Sequence, residues 1–371
     1  MRLAIVRRRY AHFGGAERFI QTTAAALARQ GVKVNIVSEQ WQGAGDSSLL
    51  EHVTVPSRGL TRHSALQNFQ RNVAIIIGRE SFDLVQTHER LLTADIFRAG
   101  DGVHAAWVKR QSSERGRWRA ALMRFDAMHN LVMDTEKRMA RETDMMFVAN
   151  SALVAREIAD WLGVPAGRIR VIENGVDLHT YRRASAQERA AARQQFGIPD
   201  DAPVVAFVGS GFERKGVFQL VEALALPACS HLRALIAGRD RKLEALRRRV
   251  ETLGLSGRVQ VLGGIEGSLT IYQAADLFAL PSLYDPMPNA ALEAVACGLP
   301  VVTTADTGIA DHVAANGAGV VVTRNPDSIA AGLKEAAAKR DAMSAAALAL
   351  APRFDLNDAT KRWLALYQEL A

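Results

Sequence analysis

One stretch limits the possible folds more than any other. From Ala275 the chain reads ADLFALPSLYDPMPNAALEAVACGLPVVTT. Leu277–Leu280 is a short apolar run, the pattern of a strand buried on both faces. Tyr284–Asn289 is a turn-rich loop holding Asp285 and two prolines, and Ala290–Cys297 is helix-forming, stopped by Gly298 and Pro300. Pro300–Thr304 is the next strand. Strand, loop, helix and strand make a βαβ unit whose loop lies at the carboxyl end of a parallel strand, where open α/β sheets bind ligands.

The loop's chemistry suits an anion. Asn289 as N-cap would leave the amides of Ala290, Ala291 and Leu292 to meet a phosphate at the positive end of the helix. Glu293, one turn in, would repel phosphate and suits sugar hydroxyls better. Alone, Asp285 would be a turn residue and Glu293 a favourable charge near a helix start. A second phosphate-type loop upstream gives them a function.

That loop is Gly209-Ser210-Gly211-Phe212-Glu213-Arg214-Lys215-Gly216. It ends the apolar run Pro203–Val208 and opens a helix. Arg grips phosphate through two parallel hydrogen bonds and Lys adds a compact charge. Two adjacent cations at a helix entry repel unless an anion or solvent lies between them, so the pair is expected to clamp a phosphate. Near the start, Phe13-Gly14-Gly15 follows the strand Leu3–Val6, and paired glycines let backbone approach a diphosphate. There is no dinucleotide GxGxxG at this loop and no Walker motif, so hydride transfer and P-loop chemistry lose support.

The rest of the chain repeats the alternation. Lys33–Ser38, Asp83–Thr87, Ile96–Ala99 and Met145–Val148 read as strands, with helices at Glu17–Gln30, Ala65–Ile77 and Thr135–Glu142. Leu232–Ala237, Arg258–Leu262 and Gly319–Val322 continue the pattern in the second half. Arg182–Gln194 reads as a charged surface helix, and Leu356–Leu370 as an amphipathic one with Trp363, Leu364 and Tyr367 on its apolar side. With 371 residues the chain exceeds one ordinary core. The expected fold is α/β, two Rossmann-like doubly wound domains facing across a cleft. Residues 1–172 are expected to form the first domain and 173–355 the second, with a helix at 356–371 packing back on the first.

Cys229 and Cys297 are the only cysteines, and neither has a metal-binding spacing. With no apolar run long enough to span a bilayer, they point to a cytoplasmic protein. A net charge of +7 and a pI near 9.7 favour anionic partners. Nothing matches a zinc finger or an RNA-binding signature, so nucleic acid is not expected. Trp107–Arg124 carries six basic residues and one acid, interleaved with Trp107, Trp118, Leu122 and Met123. That pattern suits a helix on an anionic membrane surface or a solvated charged helix.

GGAER near the N-terminus, ENGVD at 173–177, GFERKG at 211–216 and YDPMPNAALEAVACGLPVV at 284–302 resemble the retaining family-4 glycosyltransferases, over nearly the whole chain. The resemblance implies the GT-B architecture and transfer of a hexose with retention, without a metal or covalent intermediate. The FGG loop, Trp41-Gln42-Gly43 and the RKG loop narrow the likeness to glucosyltransferases of the lipopolysaccharide core. The implied donor is UDP-glucose and the implied acceptor a lipid-linked saccharide, the inner-core heptose, at the inner face of the cytoplasmic membrane. Arg214 and Lys215 then match the diphosphate clamp, with Gly14, Gly15 and Gly209 in the phosphate loops. Glu293 matches the carboxylate on the ribose. Asp285 stands where the family has a glutamate on the transferred sugar, a departure by one methylene. Asp101 matches an acidic position near that sugar, with His104 as a polar neighbour. No cofactor is implied. The other readings are a glycosyltransferase of another cell-surface polysaccharide or glycolipid using a different UDP- or GDP-sugar, a nucleotide-sugar epimerase or phosphorylase on the same architecture, and an inactive sugar-nucleotide-binding scaffold.

Overall fold

The computed structural model describes residues 1–8, 24, 27–40, 50–114 and 126–371. The chain divides into two units, Met1–Gly175 with Asn357–Ala371, and Val176–Leu356.

The first unit is built on a seven-stranded sheet: β1 (Arg2–Val6), β2 (Lys33–Ser38), β3 (Leu50–Thr54), β4 (Leu84–Thr87), β5 (Ile96–Ala99), β6 (Met146–Ala149) and β7 (Ile169–Val171). Their spatial order is β3-β2-β1-β4-β5-β6-β7, all parallel. β4, β5 and β6 are buried along their whole length, as expected where helices cover both faces. The edge strands β3 and β7 are additional to the sequence expectation. LEHVT and IRV carry charges and leave most positions partly or fully exposed, so no apolar run marks them. The helix expected from Thr135 begins a good two turns earlier, at Ala127, where Asp126 caps it by accepting from the amides of Met128 and His129.

The second unit carries β8 (Val204–Val208), β9 (Arg233–Ala237), β10 (Val259–Gly263), β11 (Leu277–Leu280), β12 (Val301–Thr304) and β13 (Gly319–Val322). These run parallel in the order β10-β9-β8-β11-β12-β13. The chain winds outward from β8 to β10, then returns to β11 and winds the other way. β8 and β11 therefore flank the switch point, where diverging loops leave a crevice at the carboxyl ends of the strands.

At the other end of β11, Asp276 is buried and receives Arg189 at 2.7 Å, Arg193 at 3.4 Å and Arg340 at 3.2 Å, and also accepts from the Val204 amide. The expected surface helix at Arg182–Gln194 is in fact Ala186–Gln195, and its Arg193 is buried rather than solvated. A buried carboxylate is tolerated here because three guanidinium groups meet it.

The helix Leu356–Leu370 packs on the first unit. Trp363, Leu366 and Tyr367 share a core with Leu3, Ile5, Val34, Ile36, Leu84 and Ile96.

Candidate active site

Two loops meet at the β8/β11 switch point. After β8 the chain turns through Gly209–Gly211 into the short helix Phe212–Lys215. Gly209 has φ +153°, and a Cβ there would come within 2.6 Å of Lys215 Cδ. Its role is steric: it leaves room for the lysine stem. Gly216, at φ +75°, lies against the Pro281 carbonyl, which a Cβ would meet at 2.0 Å. The two loops are locked where Leu283 N donates to Arg214 O at 2.7 Å.

Arg214 Nη1 donates to Tyr284 O at 2.8 Å. Asp285 Oδ2 lies 3.4 Å from that same nitrogen and 3.0 Å from Lys215 Nζ. The basic pair thus has a resident anion, which sequence reasoning did not anticipate. Burial pushes the Asp285 carboxyl up, but Lys215 and then Arg214 outweigh it and hold the group below the usual carboxylate range. The amides of Gly211 and Phe212 are taken by Asp240 Oδ2, at 3.0 and 2.9 Å. These two amides are therefore already occupied, and the loop's positive charge is carried by Arg214 and Lys215. Asp240 follows β9 in a Gly-Arg-Asp turn, the one signal that could have drawn attention to it.

The helix after β11 is Asn289–Ala296, and its N-cap is Pro288 rather than Asn289. Proline has no side-chain acceptor, so the helix start has no side-chain cap. The Pro288 carbonyl accepts the first helical hydrogen bonds, from the amides of Ala291 at 3.0 Å and Leu292 at 3.2 Å, so these two amides are not free for a phosphate. Asn289 and Ala290 occupy the first turn, where helix amides lack intrahelical acceptors. Ala291 is buried within the helix.

Glu293 is buried one turn on. Its Oε2 accepts from Ser268 Oγ at 2.8 Å and Tyr272 Oη at 2.9 Å. Burial, then the Glu293 charge, pushes the Tyr272 phenol well above its ordinary value, so it stays a donor. Both partners come from the segment after β10, and neither was singled out in the sequence. Cys297 is no nucleophile: burial, then Glu293, pushes its thiol up to about 12.

In the first unit, Gly14 and Gly15 lie outside the described residues, as do Trp41, Gln42 and Gly43. Asp101 is half exposed and pairs with Arg7 at 3.3 Å. Desolvation raises its carboxyl, but Arg7 and Arg90 outweigh it and the group sits below its ordinary value. Arg7 also lies 3.6 Å from Glu89. Arg7 follows β1 and Glu89 follows β4, so this cluster stands at the switch point of the first sheet.

His104 faces His129, with Nε2 and Nδ1 2.9 Å apart, and its ring stacks on Trp107 at a centroid distance of 5.5 Å. Its backbone amide donates to the buried Glu136, which also pairs with Arg90 at 2.8 Å. Burial, then the charge of Arg90, lowers the imidazole to about 4. Trp107, the first residue of the segment expected at an anionic surface, is partly buried and takes part in this three-ring cluster. The helix His104–Glu114 ends the described part of the basic segment, and residues 115–125 lie outside it. Within the helix Arg110 pairs with Glu157, while Lys109 is exposed over the Trp161 ring at 5.3 Å. Among the described residues no group of three or more His, Cys, Asp or Glu could hold a metal ion, and no helix is long and apolar enough to cross a membrane.

Two parallel doubly wound sheets in one chain, one with a basic pair at its switch point and a carboxylate on the next helix, define a glycosyltransferase of the GT-B type. The chain belongs to the glycosyltransferases of group 1 and family 4. Residues 13–180 match the family described as Glycosyltransferase Family 4, and residues 188–348 that of Glycosyl transferases group 1. Lipopolysaccharide glucosyltransferase WaaG of Escherichia coli (strain K12) is 27% identical over 325 residues, 85% of this chain and 83% of its own. D-inositol 3-phosphate glycosyltransferase of Nocardia farcinica is 31% identical over 341 residues, 83% of this chain and 73% of its own. A crystal structure of WaaG superposes with a TM-score of 0.86 at 23% identity, covering 98% of this chain and 99% of that one. Anabaena HepE in complex with UDP-glucose does so with 0.75 at 19% identity, covering 100% of both.

Proposed function

We propose that this enzyme is a retaining hexosyltransferase that moves glucose from UDP-glucose to a lipid-linked saccharide, the inner-core heptose of lipopolysaccharide. The observation that carries the donor half is the convergence of Arg214 and Lys215 on one point at the β8/β11 switch point, with Glu293 held on the following helix. Two cations there suit a diphosphate, and they favour the transition state because charge builds on the departing phosphate oxygen as the glycosidic bond breaks. They supply the positive charge that a metal would otherwise bring, so the reaction runs without one. Glu293, an acceptor set among hydroxyl donors, takes the ribose hydroxyls. The name of WaaG and the UDP-glucose bound to HepE support the choice of sugar and donor. Asp101 and His104, after β5, are assigned to the sugar and acceptor side. A lipid-linked acceptor places the enzyme at the inner face of the cytoplasmic membrane, with the basic segment Trp107–Arg124 toward anionic lipid.

A second reading is favoured by the inositol phosphate glycosyltransferase relatives: a small phosphorylated polyol as acceptor. One experiment decides. UDP release from UDP-glucose is measured with heptose-bearing core lipid, with inositol 3-phosphate and with no acceptor, and the product's anomeric configuration is read by NMR. Core-lipid-dependent release with an α-linked product supports the first reading. Release with inositol 3-phosphate alone supports the second, and no turnover of UDP-glucose sinks the donor assignment.

A further inference from the structure

Asp285 is held by its backbone on both sides. Its amide donates to Asp306 O at 3.1 Å, its carbonyl accepts from Gly308 N at 2.9 Å, and it forms a parallel bridge with Thr307. Pro286 follows directly, fixing a further backbone torsion. From this anchored backbone the short side chain ends on the clamp, where one oxygen, Oδ2, serves both Lys215 Nζ and Arg214 Nη1. Lys215 has only 12% of its side chain exposed and Asp285 10%. Solvent screens such a pair weakly, so its charges are felt strongly.

The same two cations form the diphosphate clamp of the reading above, on which this inference rests. A diphosphate and the Asp285 carboxylate are then two anions addressed to one lysine and one arginine. We propose that Asp285 competes with the donor for the clamp: its carboxylate yields Lys215 and Arg214 when the diphosphate enters and retakes them as UDP leaves, so that it governs product release rather than gripping the transferred sugar. The competition weakens UDP binding and keeps the product from lingering. A counter-charge of this kind also keeps the two cations from repelling each other.

The test is calorimetric titration of UDP and of UDP-glucose into wild type and Asp285→Asn, with steady-state kinetics on both proteins. The expected result is that both ligands bind the variant more tightly by about tenfold, the lower end of the coupling between close charge pairs. The factor is the same for both ligands, and kcat and KM fall together because UDP is retained. A residue of purely structural importance cannot produce tighter binding. Unchanged or weaker binding of UDP overturns the proposal, and so does a loss confined to UDP-glucose, which would make Asp285 a sugar contact. A thermal melt checks folding, and if Asp285→Asn does not fold, Asp285→Ser is titrated in the same way. Wild type that binds no UDP overturns the donor reading and this inference with it. Wild type that binds UDP beside a variant that binds it no more tightly overturns the inference alone.

Discussion

The hydroxyl of Tyr367 donates to Gln86 Oε1 at 2.6 Å, across 281 positions of sequence. Gln86 Nε2 lies 2.9 Å from His88 Nε2, and all three side chains are buried. The last helix is therefore tied to the carboxyl end of β4, next to the loop that carries Glu89 and Arg90. Tyr367→Phe keeps the ring in its core and removes only the hydroxyl. It is expected to cost about 1–3 kcal/mol, the penalty for leaving a buried acceptor without its donor. Urea unfolding measures this; a midpoint equal to wild type would mean that the bond contributes nothing to stability.

Lys215→Ala removes one of the two cations of the proposed clamp, and with it the nearer partner of the buried Asp285 carboxylate. The expected loss is about 2–4 kcal/mol of transition-state stabilisation, roughly 30- to 1000-fold in turnover. Single-turnover release of UDP checks it. Near-wild-type turnover in a folded variant would sink the clamp assignment.

Chelation makes the complementary test. With side-chain cations serving the leaving group, activity in EDTA is expected to match activity without it. If turnover collapses in chelator and returns with Mg²⁺ or Mn²⁺, Arg214 and Lys215 do not carry the charge of the departing diphosphate.

The central strands and the two basic-loop cations were legible because each is written locally. Four buried residues in a row mark β11, and Arg-Lys-Gly after an apolar strand marks the basic pair at the switch point. What escaped depends on distance. β3 and β7 are edge strands whose charges face solvent, so their pattern is not apolar. Asp285 was singled out, but its pairing with Lys215, seventy positions earlier, is not written in either loop. Asp240 reads as the end of a turn until the amides of Gly211 and Phe212 close on it. Arg98, buried in β5 with its guanidinium donating to Asn174 at 2.7 Å, looks like an error in an apolar run unless β5 and the segment after β7 are brought together. The Asn289 cap is misplaced by one residue: the helix already includes Asn289, and the N-cap position falls on Pro288, which has no side-chain acceptor.

His104 makes stability depend on pH in a definite direction. In the unfolded chain its imidazole takes a proton near its ordinary value of 6.5, but in the folded protein only at about 4, first because of burial and then because of Arg90. Below about 6.5 the unfolded state binds the extra proton, so this site's contribution to stability declines as pH falls and levels off near 4. His129, Asp126 and Arg90 are the charged or titratable groups that act on it. Urea midpoints at about pH 7.5 and about pH 5 should fall more steeply for wild type than for His104→Asn. Equal slopes would remove His104 as a cause.

The basic segment Trp107–Arg124 is expected to hold the enzyme on anionic membranes. Six basic residues stand against one acid in this stretch. Each cation near an anionic surface contributes about 1 kcal/mol, screened within roughly 8 Å at physiological salt. Arg110 is already committed to Glu157, and Trp107 to His104 and His129. The attraction therefore rests on Lys109, exposed beside Trp161, and on Arg115, Arg117, Arg119 and Arg124. Reversing those four arginines to glutamate should abolish flotation with phosphatidylglycerol vesicles. UDP binding should persist, since Arg214, Lys215 and Glu293 belong to the other unit. Trp161→Ala should reduce the part of vesicle binding that survives high salt, because ring insertion is not screened. A charge-reversed protein that floats at the wild-type level would show that these arginines only face solvent, and the acceptor would then have to reach the enzyme by another route.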